Sequence, residues 1–121
     1  MIKELTESQG KVLAFEVTGK VTLEEERTWI KKFDNILEEH QKVSVMIILG
    51  ENASWGTKAG WEDIKWLIKH MKRFDKIAIV TDSIVWKWLI TLDSQFAKLV
   101  GIGEKHFESA EAKKALEWVS M

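Results

Sequence analysis

Hydrophobic positions along the chain change period several times, and each change marks a change of element. Residues 2–6 and 12–17 are short strand-like runs, and Ser8-Gln9-Gly10-Lys11 between them supplies turn chemistry, so a β-hairpin is expected. Gly19 ends the second strand. The period then lengthens: Trp29, Ile30, Phe33, Ile36 and Leu37 recur at helical spacing up to about Glu39. Thr22 is a suitable N-cap for this helix, and Glu25 stands where a capping box needs it. Glu24, Glu25 and Glu26 fill the first turn, where the helix dipole favours negative charge.

Val43–Leu49 is almost continuously apolar and β-branched, the pattern of a strand buried on both faces and parallel to a neighbour. A loop over 50–56 leads to a second helix from near Thr57 to about Lys72, and 76–80 reads as a second buried strand. Thr81 or Asp82 can cap a third helix over 83–92, with a helical continuation to Leu99. Gly101 and Gly103 break it, 104–107 reads as a short edge strand, and Ser109 is placed to cap a last helix over 110–119. The order is ββαβαβαβα. It implies an α/β fold over residues 1–121 as one domain: a mostly parallel mixed sheet with an N-terminal hairpin and helices mainly on one face.

Composition narrows the function classes. Net charge is −1, so no overall field draws the chain to nucleic acid. Cysteine is absent, which excludes disulfides and thiolate chemistry and fits the cytoplasm. No signal peptide is visible at the start, and the longest apolar run falls far short of a membrane span. There is no proline, and seven Trp with no Tyr concentrate the aromatic area in indoles. His40, His70 and His106 have no partners at metal-ligand spacing, so neither a metal nor another cofactor is expected, and His70 reads as a dipole-favoured group near a helix C-terminus. No nucleophile–base or paired-carboxylate arrangement points to an enzyme.

The candidate site comes from helical angles. At about 100° per residue, Ile64, Leu67, Ile68 and Met71 cluster near Trp61 as a core face, while Trp66 lies roughly 140° from Trp61. In the third helix Val85, Trp88, Leu89 and Leu92 share a face that Trp86 and Ile90 leave. Trp61, Trp66, Trp86 and Ile90 are therefore the candidate lining of an apolar site between the second and third helices, with Lys65 and Lys69 at its rim. The basic stretch from Lys58 to Lys76 beside these indoles suits anionic headgroups or an acidic partner; its plainer reading is a solvated helix face. Ser54, Thr57, Asp82 and Ser83 stand where strands end and helices begin, the usual place for ligands in open α/β sheets, although plain capping explains the last three as well. Gly50, Gly56 and Gly60 match neither a Walker A nor a Rossmann spacing.

A family resemblance runs through nearly the whole chain. It rests on Val17-Thr18-Gly19 followed by Val21-Thr22, on Trp61-Glu62-Asp63 with Lys65 and His70, and on Phe74 leading into Lys76-Ile77-Ala78-Ile79-Val80. Asp82 with Trp86, then Phe107, then Ala115 with Trp118 complete it. The chain resembles the SpoIIAA-like family of small bacterial proteins, whose fold is similar to STAS domains and to the lipid-binding CRAL-TRIO domain. The resemblance implies helices that gate an apolar cavity, and a non-polar ligand or a membrane-linked role. STAS anti-anti-sigma factors carry a phosphorylatable serine in an Asp-Ser-x-Gly-like loop before the second helix. Here that loop reads Glu51-Asn52-Ala53-Ser54-Trp55-Gly56-Thr57, which departs from the motif and leaves Ser54 and Thr57 as positional phosphoacceptor candidates.

Two expectations follow. The first is a non-enzymatic binding domain for an apolar or lipid-like ligand. The second is a protein-interaction regulator acting through the loop over 51–57. Peripheral membrane contact and a homodimer built on exposed indoles are compatible with both.

Overall fold

A computed structural model describes residues 1–6, 8, 10–50, 52–82 and 103–121. The elements are β1 (Ile2–Glu4), β2 (Val12–Val17), β3 (Lys20–Val21), α1 (Leu23–Glu39), β4 (Val43–Leu49) and β5 (Ser54–Trp55). They continue as α2 (Thr57–His70), a 3-10 turn at Met71–Arg73, β6 (Phe74–Val80), β7 (Gly103–Phe107), a 3-10 turn at Ser109–Glu111 and α3 (Ala112–Val119). The helix expected over 83–92 and its continuation to Leu99 lie outside the described residues.

Five strands form one sheet in the order β1-β2-β4-β6-β7. β1 and β2 are the antiparallel hairpin, and every other pairing in this sheet is parallel. Strand alternation divides the core in two. Leu13, Phe15 and Val17 of β2 and Val43, Val45 and Leu49 of β4 face α1 and α2, whereas Ala14 and Met46 face α3 with Ala78, Phe107, Ala115 and Val119. Apolar layers on both sides explain why β4 is apolar almost without interruption. Two of the three described helices lie on one face of the sheet and α3 covers the other.

α1 begins as its sequence dictates. The Thr22 hydroxyl accepts the Glu25 N–H at 3.2 Å, and the Glu25 carboxylate accepts the Thr22 N–H at 3.3 Å, which closes the capping box. Burial pushes the Glu25 carboxyl up, but the N–H groups of Thr22 and Ile2 more than offset it and hold the carboxyl below its ordinary value. The other end of α1 has no basic residue in its last turn. Arg73 supplies the positive charge from elsewhere: its Nη2 donates to the carbonyls of Leu37 at 2.8 Å and His40 at 3.0 Å.

Several boundaries differ from the sequence expectation. β6 starts at Phe74 rather than Lys76, because Phe74 pairs with Val43 and is buried in the core. The segment expected as a loop over 50–56 contains β5, which pairs in parallel with β3, Lys20 opposite Ser54 and Val21 opposite Trp55. Two glycines make that second sheet possible. Gly19 adopts φ +64°, and a Cβ on Gly50 would stand 2.9 Å from Thr18 Cγ2. Ser109 does not cap a helix starting at 110; it opens a 3-10 turn, and its N–H and hydroxyl both donate to the Asp82 carboxylate. Asp82 thereby ties the end of β6 to the approach to α3.

Candidate functional site: an acid-lined apolar cavity

Between the sheet and helices α1 and α2 lies a cavity of about 160 Å³. Its floor is the sheet face carrying Val45, Ile47, Ile77 and Ile79, with Ile2 at one side. Rings form the walls: Phe15 and Phe74 from the sheet, Trp29 and Phe33 from α1, Trp55 from β5 and Trp66 from α2. The rings pack on one another. Phe15 stacks on Trp29 with centroids 4.6 Å apart, and Trp66 lies 5.1 Å from Phe33 and 5.6 Å from Phe74. The contrast in this apolar enclosure is a set of carboxyls, Glu26, Asp63 and Glu104.

Glu26 is the most deeply placed of these. It is only 4 % exposed although it lies in the first turn of a helix. The reason is its position: Glu26, Trp29, Phe33 and Leu37 are spaced by three and four residues and share the face of α1 that meets the sheet. Its Oε2 accepts the Trp55 indole N–H at 2.9 Å, and its side chain is hydrogen-bonded to Asp63 across the α1–α2 contact. Burial, then the hydrogen bond and negative charge of Asp63, push the Glu26 carboxyl up from 4.5 to about 9, against the opposing pull of the Trp55 N–H. Near neutral pH Glu26 is therefore a carboxylic acid. One oxygen accepts from the indole and the protonated oxygen donates to Asp63. A buried acid held neutral in a cavity is the kind of perturbed group that clusters at functional sites.

Trp55 reaches Glu26 because the small β3–β5 sheet fixes its backbone. Ser54 N–H donates to the Gly19 carbonyl at 3.0 Å and Gly56 N–H to the Val21 carbonyl at 3.1 Å. Asp63 reaches it because α2 presents Ala59, Asp63, Trp66 and His70 along one row toward α1 and the sheet.

Trp66 lines the cavity, with its indole N–H donating to the Asp34 carboxylate at 3.0 Å and its ring stacked on His70. Trp61 is 61 % exposed and does not reach the cavity. The row toward α1 is Ala59, Asp63, Trp66 and His70, and Trp61 lies off it. Trp86 and Ile90 lie outside the described residues. Among the described residues the site is bounded by α1, α2 and the sheet. Lys65 and Lys69 are exposed on α2, and Lys65 pairs with Glu62 at 3.5 Å. Two members of the basic stretch serve internal contacts: Arg73 at the end of α1, and Lys76, whose ammonium donates to the carbonyls of Trp118 and Met121. Ser54 is exposed on β5 and Thr57 is the first residue of α2. The His70 Nδ1–H donates to the Trp66 carbonyl at 2.9 Å, one turn back in its own helix.

The sequence reading missed Glu26, Asp63 and Trp55. A signal for Glu26 existed, since it falls in register with Trp29, Phe33 and Leu37, but three consecutive glutamates also suit a helix N-terminus and hid it.

A five-stranded mixed sheet, largely parallel and covered by helices on both faces, with an antiparallel hairpin at its start, defines a STAS-type α/β domain. A family model described as SpoIIAA-like matches residues 12–120, and the chain belongs to that family. It is similar in fold to the crystal structure of an uncharacterised protein with a SpoIIAA-like fold from Shewanella loihica PV-4. That match has a TM-score of 0.73 at 24% identity and covers 98% of this chain and 93% of that one. No curated protein sequence matches the chain. Among the described residues no helix is long and apolar enough to cross a membrane.

Proposed function

We propose that this protein is a small binding domain that holds an apolar molecule in the cavity beneath α1 and α2. The observation that carries the reading is the cavity itself. About 160 Å³ of space is lined by aliphatic and aromatic side chains and contains a neutral buried acid. A void of about 150 Å³ with apolar walls is enough to take up benzene. The volume favours a ring-sized body, or the end of a lipid chain, over a complete acyl chain. A few fixed polar groups in an apolar enclosure is the usual design of a ligand pocket.

Titration with toluene, followed by the methyl resonances of Val45, Ile47, Ile77 and Ile79, tests this. Shifts confined to these methyls, and abolished by the space-filling Ile47→Phe, are expected. An absence of shifts, or shifts unchanged in Ile47→Phe, removes the reading.

One observation favours a second reading, a STAS-type regulator acting through the segment before α2. Ser54 is exposed on β5, beside the start of α2. Phosphate on Ser54 or Thr57 in cells, recovered together with a bound protein partner, supports it; unmodified chain with no partner counts against it.

A further inference from the structure

We infer that the occupant of this cavity is a small organic ammonium compound, its cation set against the Glu26–Asp63 carboxyls and its apolar body among the rings. The inference rests on the cavity reading above and adds the charge of the ligand.

Two observations carry it. The ionisable side chains among the described lining residues are all acids, Glu26, Asp63 and Glu104, with no Lys, Arg or His beside them. An anionic ligand would meet no cationic partner among the described lining residues and would lose its hydration uncompensated. A neutral ligand would leave the Asp63 carboxylate with only the contacts it already has. An ammonium group answers both, because it supplies donors and the opposite charge where Asp63 opens into the cavity.

The walls point the same way. Aromatic faces attract a cation within about 6 Å of the ring centroid, most strongly when water is excluded. Phe33, Trp55 and Trp66 line the space next to the acids, while Trp29 is already stacked on Phe15 with the Lys32 ammonium over its ring. Trp55 and Trp66 have their indole N–H groups committed to Glu26 and Asp34, so what they offer a guest is ring surface, for Trp66 the side not stacked on His70. Rings that flank carboxyls form a box for a positive centre. The volume then sets the body at roughly the size of a benzene ring.

Calorimetric or ligand-detected NMR titration of the full chain with benzylamine, benzyl alcohol and benzoate separates the alternatives. The three probes share a ring and differ in charge. Benzylamine is expected to bind at least about tenfold more tightly than benzyl alcohol, with benzoate weakest, as a charge-assisted contact away from water predicts. Asp63→Asn should close the gap between amine and alcohol, and Ile47→Phe should abolish binding of all three. If benzyl alcohol or benzoate equals benzylamine, the ammonium inference is overturned while the cavity reading stands. If none of the three binds, both fall. Should either variant fail to fold, the ranking of the three probes on the native chain decides the question.

Discussion

Replacing Glu26 by Gln tests the central chemical claim about this molecule. Glutamine keeps an oxygen to accept the Trp55 N–H and offers an N–H to Asp63, so it imitates the protonated acid without its proton. The folded chain holds the Glu26 proton up to about pH 9, and the unfolded chain releases it near 4.5. The folded state therefore binds more protons throughout that interval, and stability falls as pH rises through it. At about 1.4 kcal/mol per pH unit, the span from 4.5 to neutrality costs the native chain about 3 kcal/mol at pH 7. Because the side chain is 4 % exposed, solvent screening reduces this little. Glu26→Gln escapes that cost, so it should be more stable than the native chain by about 2–3 kcal/mol at pH 7 once imperfect mimicry is allowed for. The advantage should grow toward pH 8.5 and vanish near pH 4. Urea midpoints for both proteins across this range provide the assay, and at about 1–3 kcal/mol per molar the expected separation is about 1–2 M at neutral pH. Other carboxyls titrate in both proteins and largely cancel in the difference. Parallel pH profiles, or a variant less stable than the native chain at pH 8, would refute the assignment of a neutral Glu26.

Three further changes probe the scaffold that builds the cavity. Gly50→Ala sets a methyl group 2.9 Å from Thr18 Cγ2 and 3.2 Å from the Val17 carbonyl, and should cost about 1–3 kcal/mol in urea unfolding. Arg73→Met keeps the aliphatic stem but strips the end of α1 of its donors, and a loss of about 1–3 kcal/mol is expected, read as a lowered thermal midpoint. Thr22→Ala opens the capping box and should cost about 1 kcal/mol, with faster hydrogen exchange at the Glu25 amide.

What the sequence disclosed and what it hid follow from how periodicity works. α1 was legible at its start because Thr22 and Glu25 signal through local geometry that needs no tertiary partner. β4 was legible because burial on both faces leaves no polar alternation. The family was legible because its short motifs run in order through nearly the whole chain, over the range that the family model matches. The two-residue strands β3 and β5 were not, since their pairing spans more than thirty residues and leaves no pattern within either one. Which row of α2 meets α1 was not legible, because its aliphatic stripe and the row Ala59, Asp63, Trp66, His70 compete, and angle counting cannot say which of them faces that helix. Asp63 stayed hidden for a related reason. A carboxylate at a helix surface and one hydrogen-bonded to an acid on another helix look alike until that helix is in place.

The central position of β4 has a consequence for the unfolded chain. Val-Ser-Val-Met-Ile-Ile-Leu carries no charge and no proline, and its β-branched residues give it the signature of segments that stack into amyloid. In the native sheet both of its edges are occupied, by β2 and β6, so no fibril can grow from it. Lys42 directly before it is a natural gatekeeper against such stacking. Loss of the flanking strands would turn the best-protected segment of this fold into the one most prone to form a steric zipper.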